Sequence, residues 1–343
     1  MKALMLEDDM KLVYQDVPTP VPNDDEVLVR VQAVGICGSD VHGMDGSTGR
    51  RLPPIIMGHE ASGVIETTGK NVLGWQAGDR VTFDSTIYPP DDWYTQHGMY
   101  NLSDGRMVLG VSTPEFKKHG AFAEYVTVPQ HILYRIPESV SFTQAALVEP
   151  AAVALHAIQL SNIAPSDVVV VIGAGMVGMF VIQLLKITGC KKIMAIDLEK
   201  EKLELAKKLG ADACFTPDNN ALSTTLLEWT GQRGADVAIE VVGINATIQH
   251  AITLLRKGGT LTLLGNLSPQ VILPLQAVVT RQLRIQGSCA INGEYPAILE
   301  LIAQGKLHME SILSAEAPLA EGAQWFQRLY NKEKGLMKVV LHP

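Results

Sequence analysis

Val168-Val169-Val170-Val171-Ile172 runs directly into Gly173-Ala174-Gly175-Met176-Val177-Gly178. Five consecutive β-branched apolar residues read as a short strand covered on both faces. The glycines then call for a tight turn, a backbone that approaches a ligand, and a helix packed closely on the strand. Asp197 ends the next strand candidate, about 20 residues past the last glycine, the spacing at which an acid meets ribose hydroxyls. Strand, glycines, helix, strand and acid together predict a dinucleotide site with the pyrophosphate at a helix N-terminus. A carboxylate at Asp197 accepts from both ribose hydroxyls and repels a 2′-phosphate, which favours NAD over NADP. Lys202, one turn into the following helix, either neutralises cofactor charge or lies on a solvated face.

Around this motif the pattern is strand-helix alternation, which implies a doubly wound parallel sheet. Strands are predicted at Lys192 to Asp197, Ala235 to Val242, Thr260 to Leu264 and Leu283 to Gly287, with a charged helix from Glu199 to Leu209. From Met1 to about Glu149 the reading differs. Val27-Leu28-Val29-Arg30-Val31, Gly63-Val64-Ile65-Glu66 and Gly78-Asp79-Arg80-Val81 are short alternations broken by Gly and Pro, as in a compact β domain rich in turns. After about Ser288 a last helix, Tyr295 to Gln304, leads to Met337 to Leu341, which reads as a strand returning to the first domain.

Three islands carry metal-ligand chemistry: Cys37-Gly38-Ser39-Asp40-Val41-His42, Gly58-His59-Glu60, and Glu149-Pro150. A thiolate, an imidazole and a carboxylate suit zinc with one position open to substrate. Each island also has a plain reading: a small buried cysteine, a core histidine, a surface charge. Ser39 reads equally well as a helix N-cap, and His42 as a surface histidine.

The combination resembles the zinc-containing medium-chain alcohol and polyol dehydrogenases over essentially the whole chain. Gly35 to His42, Gly58-His59-Glu60, Gly78 to Val81, Glu149-Pro150 and Gly173 to Gly178 stand in family order and spacing. The resemblance implies a fold of class α/β plus β. A GroES-like β-barrel domain (1–150, completed by 288–343) would carry an inserted Rossmann domain (151–287). It implies Cys37 and His59 as zinc ligands, with Glu60 and Glu149 as alternatives for the third. Asp40 would orient His59 through its other ring nitrogen. Ser39 would take the hydroxyl proton and His42 would pass it towards solvent. NAD would receive the hydride, with Gly173, Gly175, Val177, Gly178, Asp197, Lys202, Leu264 and Ser288 around it. The implied reaction is oxidation of a secondary alcohol of a polyol, sugar or sugar phosphate. A threonine 3-dehydrogenase-like enzyme and a dinucleotide-sensing scaffold without catalysis are the alternatives.

Two departures from the family pattern matter. Where many relatives place four cysteines around a structural zinc, the aligned positions are Pro89, Asp92, Thr95 and Ser103. No structural zinc is expected, and burial of Trp93, Tyr94 and Tyr100, within the chain or against a neighbouring subunit, is expected to hold this lobe instead. Where sorbitol dehydrogenases carry an Arg-Tyr pair, the chain reads Ser288-Cys289-Ala290-Ile291, so sorbitol is disfavoured. Arg50-Arg51 offers a phosphate-binding pair or a solvated loop.

Lys plus Arg total 28 against 36 for Asp plus Glu, and this net charge of −8 argues against nucleic acid or an anionic membrane as partner. Four scattered cysteines, no apolar leader and no long apolar run give a cytoplasmic expectation. A homodimer or homotetramer is expected from the family, through Val271 to Leu275 and Leu283 to Gly287.

Overall fold

Val168–Ile172 is buried along its whole length because it lies inside a sheet. The computed structural model describes residues 1–343, which divide into two compact units. One unit is Pro150–Ala290. Its six strands lie in the order Ala213–Phe215, Lys192–Ile196, Val168–Ile172, Ala235–Glu240, Leu255–Leu263, Arg284–Gly287, and every neighbouring pair is parallel. Numbered along the chain, this order is 3-2-1-4-5-6, with the strand order reversing beside Val168–Ile172. The glycine turn leaves the carboxyl end of that strand, at the switch point where such sheets bind ligands. Val170, Ile172, Met194, Ala238, Ile252 and Leu261 form part of the core beneath it.

The other unit combines Met1–Glu149 with Ile291–Pro343. A seven-stranded sheet runs Leu133–Arg135, Arg80–Phe83, Glu60–Thr68, Glu26–Gly35, Lys338–His342, Leu313–Pro318, with Tyr125–Pro129 also pairing Glu26–Gly35. Lys338–His342 thus joins the first part of the chain to the last, antiparallel to Glu26–Gly35 and parallel to Leu313–Pro318. Phe83, Phe122, Val29 and Phe326 are among its core residues.

Several elements depart from the sequence reading. Tyr295–Ala303 is not the last helix: Gly322–Tyr330 follows it, and Phe326 in that helix packs edge-on against Phe122. The strand Leu313–Pro318 precedes that helix. Ala213–Phe215 is a three-residue edge strand, too short for alternation to reveal. Leu255–Leu263 starts earlier than Thr260, because Leu255 already pairs with Ala235 ahead of a register shift in the ladder, near which Gly258 adopts φ +70°. No helix is long and apolar enough to cross a membrane.

Candidate metal centre and cofactor site

The strands Glu26–Gly35 and Glu60–Thr68 pair with Gly35 opposite Glu60, which sets the first two islands side by side. Cys37 follows the first strand as N-cap of the helix Gly38–Gly43, and His59 immediately precedes the second. Cys37, His59 and Glu60 bring a sulfur, a ring nitrogen and a carboxylate oxygen within 4.8 Å of one another. His59 and Glu60 are buried. Gly35 has to be glycine here, since a Cβ would lie 2.5 Å from Glu60 Oε2.

Glu60 is fully buried and needs compensation. Lys338, itself buried, supplies it: Nζ donates to Glu60 Oε2 and, at 2.9 Å, to the carbonyl of Ile36. Glu60 Oε1 has no hydrogen-bond partner. A buried carboxylate with one oxygen unpartnered, on a side chain clustered with a thiol and an imidazole, is the donor set that a zinc ion satisfies. The residues present therefore fit the metal.

Asp40 lies behind His59, with Oδ1 at 3.4 Å from Nδ1. The alignment is too poor for a full hydrogen bond, and Nδ1 is left without one. Burial would raise the Asp40 carboxyl, but the His59 ring and the Arg51 guanidinium outweigh it and hold it down at about 2. Burial likewise opposes charge on His59, yet Asp40 and Cys37 push its pKa well above the usual histidine value. Without metal this ring holds a proton that a bound cation would displace. Glu149 stands outside the three-atom cluster. It keeps some surface but is densely surrounded. Burial raises it to about 8, with His59 opposing and Glu60 and Asp84 adding to the rise.

Ser39 is exposed on the helix Gly38–Gly43, and its Oγ lies 3.3 Å from Cys37 Sγ and 3.5 Å from His59 Nε2. It is not the N-cap, a place taken by Cys37. His42 is exposed near the end of the same helix. Arg51 matches neither sequence expectation. It is buried, and its Nη2 and Nε donate to Asp40 Oδ1 at 2.7 and 3.1 Å.

At the glycine turn Gly173 has φ +100°, and a Cβ on Gly178 would collide with the Gly173 carbonyl. Gly175 caps the helix Met176–Thr188 without a side-chain bond, so the first helical N–H groups remain available to an anion. Val177, in the first turn of this helix, is half-buried. Asp197 accepts from Ala174 N at 2.6 Å and from Glu199 N at 2.9 Å, which ties the acid to the turn. Lys202 pairs with Glu199 at 2.6 Å. Leu264 N donates to Glu240 O, Ser288 N donates to Leu263 O, and Ser288 Oγ is shielded without a partner.

The lobe at Pro89, Asp92, Thr95 and Ser103 is held by polar ties more than by aromatic burial. Trp93 is 58% exposed in the single chain, not buried within it, and stacks on His97 at 4.0 Å. His97 Nδ1 lies 2.7 Å from Trp93 O, and Asp92 caps the short helix Trp93–Gln96 through Thr95 N. Tyr100 is the tether: its hydroxyl donates to Asp84 Oδ2 at 2.7 Å and accepts from Gly293 N at 2.8 Å. Asn292 Nδ2 reaches Gly98 O at 2.7 Å.

Burial raises Asp84 to about 6, against hydrogen bonds from Thr86 and Tyr100. A carboxyl whose folded pKa lies above its unfolded one binds its proton more tightly in the native state, so its ionisation costs stability as pH rises from about 4 to 6. Asp84→Asn is expected to remove up to about 3 kcal/mol of that slope, read as a smaller loss of urea stability between pH 4 and 7.

Lys338, Asp84 and the buried role of Arg51 were not apparent in the sequence. A lysine in a strand and an arginine pair in a loop read as surface until their partners are known.

Comparison with known families covers most of both units. The model for the alcohol dehydrogenase GroES-like domain matches residues 23–138, and that for zinc-binding dehydrogenase matches residues 176–304. A probable D-xylulose reductase A from Emericella nidulans is 31% identical, over 99% of this chain and 96% of its own length. The solved alcohol dehydrogenase from Thermus sp. ATN1 is 31% identical with a TM-score of 0.92, covering 100% of this chain and 99% of that one. Galactitol-1-phosphate dehydrogenase from Escherichia coli gives 26% identity and a TM-score of 0.91, covering 100% of both chains. The six-stranded parallel sheet, the GroES-like unit and these matches together make the chain a member of the zinc-containing medium-chain alcohol and polyol dehydrogenases.

Proposed function

We propose that this chain oxidises a secondary alcohol of a polyol, sugar or sugar phosphate, with NAD and one zinc ion held by Cys37, His59 and Glu60. The observation that carries the reading is the convergence of these three side chains with an unpartnered, buried Glu60 oxygen. Zinc supplies Lewis acidity towards a substrate oxygen, and NAD supplies the hydride acceptor. Ser39 Oγ, beside Cys37 Sγ, receives the hydroxyl proton. His42, exposed near the end of the same helix, passes it to solvent. Glu149, raised to about 8 without metal, holds a proton near neutrality and is the alternative carboxylate for the site. Gly173, Gly175, Val177 and Gly178 cradle the pyrophosphate, and Asp197 disfavours a 2′-phosphate. Leu264, Ser288 and Lys202 are further cofactor neighbours.

No structural zinc is part of this reading, since no cysteine lies between Cys37 and Cys190. A homodimer or homotetramer is part of it. Arg284–Gly287 is an edge strand, and Ile272, Leu275 and Val279 are 70%, 62% and 67% exposed. A reducing cytoplasm suits its four free cysteines.

The test is NAD reduction by zinc-replete protein against polyols, sugar phosphates and threonine. The expected result is turnover with a polyol or sugar derivative that a chelator abolishes and zinc restores. Turnover only with threonine, or NAD binding with no turnover on any substrate class, would overturn the reading.

A further inference from the structure

Arg51 reaches the candidate metal centre from behind. The helix Gly38–Gly43 makes room for it, since a Cβ on Gly43 would lie 2.5 Å from Arg51 Cγ. Its Nη1 donates to the carbonyl of Arg50 at 3.0 Å, which fixes the head of the side chain. Two further N–H groups then converge on one atom, Asp40 Oδ1, at 2.7 and 3.1 Å. The same oxygen lies 3.4 Å from His59 Nδ1, while Asp40 Oδ2 is buried without a partner. Nη2 also lies 3.4 Å from Ser39 Oγ. One guanidinium thus touches both the carboxylate behind His59 and the hydroxyl beside Cys37.

From this geometry we infer that Arg51 is a positioning residue for the metal site, acting through Asp40 on His59. A carboxylate behind a ligating imidazole raises the ring's basicity by drawing on its other proton. Here the oxygen that would do so is already shared with two guanidinium N–H groups. Arg51 therefore holds Asp40 in line with the ring, so that the carboxylate fixes the orientation in which His59 presents its other nitrogen to the metal. A lysine is a compact point charge and cannot reproduce this two-point grip.

The inference rests on the proposed metal reading, and the experiment separates the two. Cobalt(II) absorption and zinc affinity by chelator competition are measured on the parent, R51M, R51K, D40N and the D40N/R51M pair. The parent is expected to show thiolate-to-cobalt absorption. R51M is expected to bind zinc about 10- to 100-fold more weakly, with shifted cobalt bands. R51K is expected to restore only part of the affinity. D40N is expected to make R51M nearly silent, because the effect passes through Asp40. A parent that takes up no cobalt overturns the metal reading and this inference with it. A parent that binds cobalt, with R51M matching its affinity and bands, overturns the inference alone. An R51M loss that adds fully to that of D40N also overturns it. Should R51M not fold, R51K decides: parental affinity and bands in R51K would mean the two-point grip plays no part.

Discussion

Cys37→Ala is expected to lower kcat/KM by about 10³- to 10⁵-fold, the kinetic equivalent of the several kcal/mol that a metal contributes as a Lewis acid. The fold should tolerate the change. Cys37 is half-buried, and its sulfur accepts only a weak bond from Ser39 Oγ at 3.3 Å beside the His59 ring. The cofactor turn, Gly173 to Gly178, belongs to a different unit and should keep its NAD affinity. Three readouts check this together: steady-state rates, zinc content after gel filtration, and NAD binding by fluorescence. Full turnover in Cys37→Ala would sink the assignment of this thiol as a ligand. Loss of NAD binding along with turnover would point instead to a structural defect.

Lys338→Met carries the largest expected effect on stability. Removing the lysine leaves Glu60 as an uncompensated carboxylate in a fully buried position, and breaking such a pair costs about 3–5 kcal/mol. The loss should be greatest in metal-free protein, because a bound cation compensates the same carboxylate. Urea denaturation of Lys338→Met with and without zinc is the measurement, with Lys338→Met/Glu60→Gln as companion. The double variant should recover part of the loss, since it removes the stranded charge. If the single variant denatures with the parent, the pair contributes nothing and Glu60 must be neutralised some other way.

The sequence was most legible where the determinants are consecutive. Gly173 to Gly178 follows its strand directly, and the collision that a side chain on Gly178 would cause arises from a carbonyl five residues upstream. Such local geometry can be read from spacing alone, and the parallel sheet followed from repetition of the same strand-helix unit. The helix Gly322–Tyr330 also had a readable signal: Trp325, Phe326, Leu329 and Tyr330 recur at helical spacing around exposed Glu321, Gln324 and Gln327.

The site was legible in its components and much less in its charge balance. Spacing alone left Cys37, His59, Glu60 and Glu149 as open alternatives, and family resemblance grouped them. The structure brings the first three into one cluster and leaves Glu149 outside it. The cations that neutralise the surrounding acids could not be read at all. Arg51 meets Asp40 across a loop, and Lys338 meets Glu60 across 278 residues of chain. Side chains such as these bury only when an opposite charge awaits them. Trp93 is the reverse case: within the chain a four-residue helix offers its ring little surface to bury against, and it stacks on the exposed His97.

The position of Lys338–His342 in the sheet also sets an order of events during synthesis. Its strand lies beside Glu26–Gly35, yet the ribosome makes the whole of Pro150–Ala290 between the two. Until residue 338 has been translated, the Val34–Gly35 end of Glu26–Gly35 lacks its partner and Glu60 lacks its counter-ion. The nascent amino-terminal half must therefore wait with an unpaired strand end beside a buried acid. A chain that stalls earlier would release a half-built pocket with an unneutralised acid at its centre.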